Sequence, residues 1–184
     1  DVDAHHALAR EAAGRSIVLL RNESGILPLA KNAKIAVIGE FADKPRYQGA
    51  GSSMIVPTRL DSALDGIREL STGEVVYAQG FTAGATPLSA DEASRLREEA
   101  VAAASAADVA VVFLGLPARL ESEGYDRTDI DLPAEQLQIL DAVIAANSHT
   151  VVVLSNGPVV ALPFAGPVPA LVEAWPLGQA GGGA

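Results

Sequence analysis

"DVAVVFLG", residues 108–115, sets six hydrocarbon side chains in a row between an aspartate and a glycine. The run is too short for a buried helix and lacks the alternation of a strand with one wet face. It reads as a strand covered on both sides, the kind found in parallel sheets. The same texture recurs on either side of it, at "SIVLL" (16–20), "KIAVIG" (34–39), "EVVYA" (74–78), "TVVVLSN" (150–156) and "PALVEAW" (169–175). Helical patterns lie between these runs. A first helix is expected at about 3–13. "LDSALDGIREL" (60–70) places Leu60, Leu64 and Ile67 on one stripe, and "SADEASRLREEAVAAASAA" (89–107) opens with Ser89 and Glu92 at capping-box spacing. "PAEQLQILDAVIAAN" (133–147) starts on a proline suited to a first helical position and lines up Leu137, Leu140 and Ile144. Strand and helix in alternation predict an α/β fold: a doubly wound, mostly parallel sheet with helices on both faces. The helix such a fold would place after "GQAGGG" (178–183) is missing.

The 184 residues suffice for one domain with a real core. With 49% hydrophobic and only 4% aromatic residues, that core must be built from Ala, Val, Leu and Ile. A net charge of -10 argues against a nucleic-acid partner, whose phosphates would repel it. Without cysteine there is no disulfide and no thiolate zinc site, and the compartment stays open between cytoplasm and exterior. No window is apolar over the ~18 residues that a membrane span needs. The opening "DVDAHHALAR" is neither a signal peptide nor a start at Met, so the chain reads as a piece of a longer protein.

In doubly wound sheets, ligands bind beyond the carboxyl ends of the strands. Three loops there are distinctive: 40–57, 116–133 and 178–183, expected to open on one edge. "GAGSS" (49–53) invites a phosphate-binding reading, but Gly49 lies ten residues past Gly39, no lysine follows, and "MIVP" looks extended. A flexible turn is the simpler reading. A third is a loop whose small residues, Gly49 and Gly51, let backbone approach a ligand, with Arg46 and Ser52 as polar handles.

"ESEGYDRTDIDLP" (121–133) is dense in carboxylates. Glu121 and Glu123 are two apart, which in an extended segment puts them on one face. Two carboxyl groups so placed resist ionising together, so one is expected to titrate high, as a general acid must. Arg127 could hold Asp126 or Glu121 in a forked contact. Gly124 would relieve crowding beside the working glutamate, and Tyr125 offers an aromatic face to a sugar ring. On composition alone the simpler reading is a solvated acidic loop. Asp126, Asp129 and Asp131 match no calcium-loop spacing, so no metal is assigned. His5 and His6, adjacent on a helix, diverge by ~100° and read as linker residues. His149 is expected exposed, Asn156-Gly157 reads as a turn, and Trp175 as a packing residue. The serines lack a nucleophile elbow.

Together, "LAREAAGRSIVLLRNESGILPL" (8–29), "IAVIG" (35–39), "QGAGSS" (48–53), "ESEGYDRTDIDLP", "VVVLSNGPVV" (151–160) and "AWPLGQAGGGA" (174–184) resemble the α/β sandwich domain of glycoside hydrolase family three β-glucosidases. The resemblance runs through nearly the whole chain, in order. It implies a retaining β-glycosidase, exo-acting on terminal β-linked glucose or related sugars, with no cofactor. It implies that residues 1–15 are a linker or helix coming off an N-terminal barrel domain and that 16–184 are the sandwich domain. The nucleophilic aspartate would sit on the barrel. The acid/base glutamate would be the one before Gly-Tyr-Asp-Arg, Glu123, with Glu121 the runner-up. Asp126 and Arg127 would orient the loop, and residues 46–53 would border the sugar. Since a retaining mechanism needs carboxyl groups ~5–5.5 Å apart across the bond, this piece is expected to be inactive alone. The alternative is a non-catalytic doubly wound module binding a small ligand at its loop edge. Oligomeric state stays open.

Overall fold

Each of the six apolar runs forms a strand. The computed structural model describes residues 1–52 and 54–184. Its elements are α1 (Val2–Ser16), β1 (Val18–Asn22), β2 (Ile35–Ile38), α2 (Glu40–Asp43), α3 (Ala63–Leu70), β3 (Val75–Ala78), α4 (Ala90–Ser105), β4 (Val109–Gly115), α5 (Ala134–Ala146), β5 (Thr150–Ser155) and β6 (Ala170–Glu173). They make one sheet in the order β1-β6-β5-β4-β2-β3. All neighbours are parallel except β1, which runs antiparallel to β6. Val111 of β4 sits between Val37 of β2 and Val151 of β5.

The strand that decides the fold is enclosed along its whole length, as β2 is. Every residue of β4 is buried. Helices α4 and α5 pack on each other and over β2, β3 and β4, while α2 and α3 pack together against β4 and β3. The α/β sandwich read from the sequence is therefore the fold. Leu114, Leu140, Val112 and Leu154 are fully enclosed. Cutting such a leucine to alanine costs about 2–5 kcal/mol, because the cavity left closes only in part.

Local departures have local causes. Helix α1 runs to Ser16, because the Ile17 amide still bonds Ala13 O, so the first strand starts at Val18 rather than residue 16. Ser62 caps α3 through the Asp65 amide, leaving Leu60 outside the helix and exposed. The capping box of α4 is formed by Ser89 and Glu92. Pro133 caps α5 from outside, and the buried face is Gln136, Ile139, Leu140 and Val143, one step round from the expected stripe. Gln136 causes the shift. Its amide accepts from Gly115 N at 3.0 Å and donates to Gly115 O at 2.9 Å, extending the ladder beyond the end of β4. His6 is no mere linker residue. It is 3% exposed, with Nε2 2.8 Å from Asp61 Oδ2 and Nδ1 3.0 Å from Gln179 Nε2, fastening α1 to the chain before α3 and to the final turn. His5 and His149 are exposed.

Candidate functional site

The strand order brings the loops after β2, β4 and β5 side by side at the carboxyl edge, as parallel winding requires. The third distinctive loop joins them through Gly178 N, which donates to Tyr47 O at 2.9 Å. The loop after β2 is braced across itself. Gln48 exchanges hydrogen bonds with the Ile55 backbone at 2.9 and 3.1 Å, and the Tyr47 hydroxyl donates to Ile55 O at 2.8 Å. Ser53 lies outside the described residues.

The Gly-rich and acidic loops meet in one contact. Ala50 and Ser122 form a parallel bridge, and Glu123 N donates to Ala50 O at 3.0 Å. Both the amide and the hydroxyl of Ser52 donate to Glu123 Oε2, the amide at 2.8 Å. Gly51 is required here twice over. Its φ of 113° is one that L side chains rarely adopt, and a Cβ would overlap the Glu123 Cβ. The amide that a phosphate would have used is therefore occupied by an internal carboxylate. Gly124 is present for its φ of 74°, not to relieve crowding, since a Cβ added there would have nothing within 4 Å.

Glu123 is exposed, and Ser52's hydroxyl and then its amide hold its carboxyl below the ordinary value. For Glu123 the direction is opposite to the rise expected of a general acid. The two carboxylates have separate partners, because the chain turns at residues 123–124 instead of staying extended. Glu121 is 15% exposed in its side chain and faces Arg46 Nη2 at 3.4 Å. Burial lowers the pKa of Arg46, and the Glu121 charge opposes that. Arg127 does not hold a carboxylate. It donates to Val159 O at 3.0 Å and to Asp131 O at 3.1 Å, buttressing the return leg of its loop. Asp126 is exposed and makes no hydrogen bond among the described residues. Arg46, not Arg127, is thus the arginine of the acidic loop, a partnership that no local spacing signals.

A shallow basin of about 380 Å³ lies at this junction, lined by Gly49, Ala50, Tyr125, Asp126 and both Glu121 and Glu123. Tyr125 is half exposed beside it. Larger cavities of about 580 and 500 Å³ also open, one between α3 and the final turn that reaches Arg46 and Tyr47, and one beneath the β3–α4 connection. Size does not favour them as the site, because the paired loops and the carboxylates converge on the smaller basin. Trp175, at φ 57°, donates from its indole to Ser16 O at 3.0 Å and packs at the end of α1, away from the basin floor. Among the described residues no group of three or more His, Asp or Glu is placed to hold a metal.

Residues 17–184 match the model of the glycosyl hydrolase family 3 C-terminal domain. The chain belongs to that family. It is 50% identical to an exo-alpha-(1->6)-L-arabinopyranosidase of Bifidobacterium longum, over 99% of this chain and 25% of that protein. It is 49% identical to the thermostable beta-glucosidase B of Acetivibrio thermocellus, over 100% of this chain and 24% of that one. The crystal structure of a Bifidobacterium adolescentis GH3 beta-glucosidase superposes with a TM-score of 0.90 at 52% identity, over 99% of this chain and 26% of that one. The domain thus spans about a quarter of the length of these relatives.

Proposed function

We propose that this domain supplies the general acid/base, Glu123, of a retaining β-glycosidase whose nucleophile lies on another domain of the same protein. The observation that carries this reading is the grip on Glu123. Its backbone is bridged to the Gly-rich loop, its carboxylate is held by Ser52, and its other face is open to the basin. A carboxylate that is fixed yet exposed at a sheet's carboxyl rim is suited to proton transfer. In the first half-reaction Glu123 protonates the departing glycosidic oxygen. In the second, as a carboxylate, it takes a proton from the water that attacks the glycosyl ester. The hydrogen bonds from Ser52 favour the ionised form and so prepare the second step. Docking of a barrel over the basin, with an anionic nucleophile nearby, raises the pKa for the first.

The substrate class is a terminal β-linked glucose or related sugar, in keeping with the relative named a thermostable beta-glucosidase. Residues 1–15 lead in from the barrel, and the domain alone is inactive. Asp126 and Tyr125 border the substrate. Replacing Glu123 by Gln in the full-length protein tests the proposal. Hydrolysis of glycosides with poor leaving groups is expected to fall by about 10²–10⁴-fold, with activated aryl glycosides much less affected. In Glu123→Ala, azide is expected to restore turnover of the activated substrates. Unchanged hydrolysis of both classes would remove Glu123 from the mechanism, and a parent protein that cleaves no glycoside would leave a ligand-binding module instead.

A further inference from the structure

Glu121 and Glu123 stand two residues apart and have different surroundings. Glu123 is exposed, whereas Glu121, which also lines the basin, has its carboxylate held by Arg46 and Gly157. Its Oε2 lies 3.4 Å from Arg46 Nη2 and 3.4 Å from the amide of Gly157. Arg46 also donates to the Glu121 carbonyl at 3.4 Å. The Arg46 side chain is only 11% exposed, and its Nε and Nη1 have no hydrogen-bond partner among the described residues. Glu121 is therefore the anion that faces a buried cation. Gly157 allows the approach, since a Cβ at that position would fall 2.5 Å from Glu121 Oε1. One carboxylate thus ties together the loops that follow β2, β4 and β5.

We propose that Glu121 is a positioning residue: paired with Arg46 and seated against Gly157, it fixes the backbone from which Glu123 is presented, and it exchanges no proton with substrate. The inference rests on the acid/base reading of Glu123. Only Ser122, bridged to Ala50, separates the two glutamates, so a shift of Glu121 is passed directly to the start of the turn at 123–124. Misplacement of a reacting group by about 1 Å can cost about 10²-fold in rate. A glutamine at 121 keeps the size and the acceptor for Gly157 but leaves the Arg46 charge uncompensated.

The test uses the full-length protein and a series of glycosides graded by leaving group. Glu121→Gln is expected to lower kcat/KM on poor leaving groups by about 10- to 100-fold, mostly in kcat, and activated aryl glycosides by no more than about 3-fold. Added azide is expected to bring no recovery, because the acid/base carboxyl is still present. Gly157→Ala displaces the Glu121 carboxylate without removing it and is expected to act in the same direction, which keeps the test open if Glu121→Gln folds poorly. Pairing Glu121→Gln with Arg46→Met is expected to be no worse than Glu121→Gln alone. Wild-type rates in both Glu121→Gln and Gly157→Ala overturn the proposal. Equal losses on every substrate, carried in KM, overturn it too and assign Glu121 to substrate binding. Azide rescue of Glu121→Gln makes Glu121 the acid/base. Glu123→Ala measured alongside separates the two readings: if it is silent, the underlying assignment fails, whatever Glu121 does.

Discussion

Gly51 and Gly49 lie two residues apart and should respond oppositely to the same substitution. At Gly51 an added methyl meets a φ of 113° and the Cβ of Glu123. Holding a non-glycine residue in such a backbone region costs about 1–3 kcal/mol, and the atom it strikes is next to backbone, not the far end of a flexible side chain. The cheapest relief is to part the two loops, which breaks the Ala50–Ser122 bridge and the bonds from Ser52 to Glu123. An opening made easier by about 1–3 kcal/mol speeds amide exchange by roughly 5- to 160-fold at the amides it frees. Hydrogen-exchange mass spectrometry of full-length Gly51→Ala should show that acceleration in peptides covering 46–52 and 119–126, with exchange in β4 unchanged. At Gly49 nothing among the described residues lies within 4 Å of an added Cβ, and the backbone is not in the positive-φ region. Gly49→Ala should then be neutral or stabilising by about 0.4–1 kcal/mol, through the unfolded chain. If the two variants exchange alike in both segments, the contact between the Gly-rich and acidic loops is not what holds Glu123.

Two further outcomes bear on groups away from the basin. Glu173 is buried at the end of β6, and burial raises its pKa despite the bonds it accepts from the Trp175 amide and Asn156. The folded protein thus holds this proton more tightly than the unfolded chain, so the stability it contributes is full below the unfolded value near pH ~4.5 and is lost as pH rises through the higher folded value. Glu173→Gln carries no such loss, and its melting temperature relative to wild type should climb as the pH rises above about 4.5; a flat difference refutes the assignment. His6→Ala leaves Asp61 and Gln179 without their buried partner, a cost of about 1–3 kcal/mol, and should speed exchange in α1 and in 179–184 while sparing 46–52. Unchanged protection of α1 would show that His6 does not fasten it.

The inner sheet is legible in the sequence because β2, β4 and β5 are hydrocarbon runs that need cover on both faces, whereas β1, at the antiparallel edge, leaves Val18, Leu19 and Leu20 exposed; the capping box of α4 is legible because Ser89 and Glu92 carry their own geometry. The buried face of α5 lies one step away from its apparent stripe because Gln136 is polar and ordinarily points to water, and nothing in the local pattern says that Gly115 will need its amide. The loop partners are hidden for a different reason. Arg46 meets Glu121 across 75 residues because β2 and β4 are neighbours, and Arg127, only six positions from Glu121, turns the other way to the Val159 and Asp131 carbonyls. Gly51 and Gly157 are visible as glycines, but the carboxylates that demand their small size are set by tertiary contact.

The amide of Gln136 grips both backbone groups of Gly115, so the neck of the excursion from 116 to 135 is closed by a two-bond clasp. Beyond the clasp the span is tied back by the buried Leu132 and by Ile130 O, which accepts from Ala161 N at 2.8 Å. Lengthening a closed loop is thermodynamically inexpensive, about 0.6 kcal/mol for each doubling. Thr128 and Asp129, exposed between the Arg127 buttress and the Ile130 carbonyl that accepts from Ala161 N, are therefore where residues can be inserted to reshape the approach to the basin while the neck of the loop and the sheet keep their register.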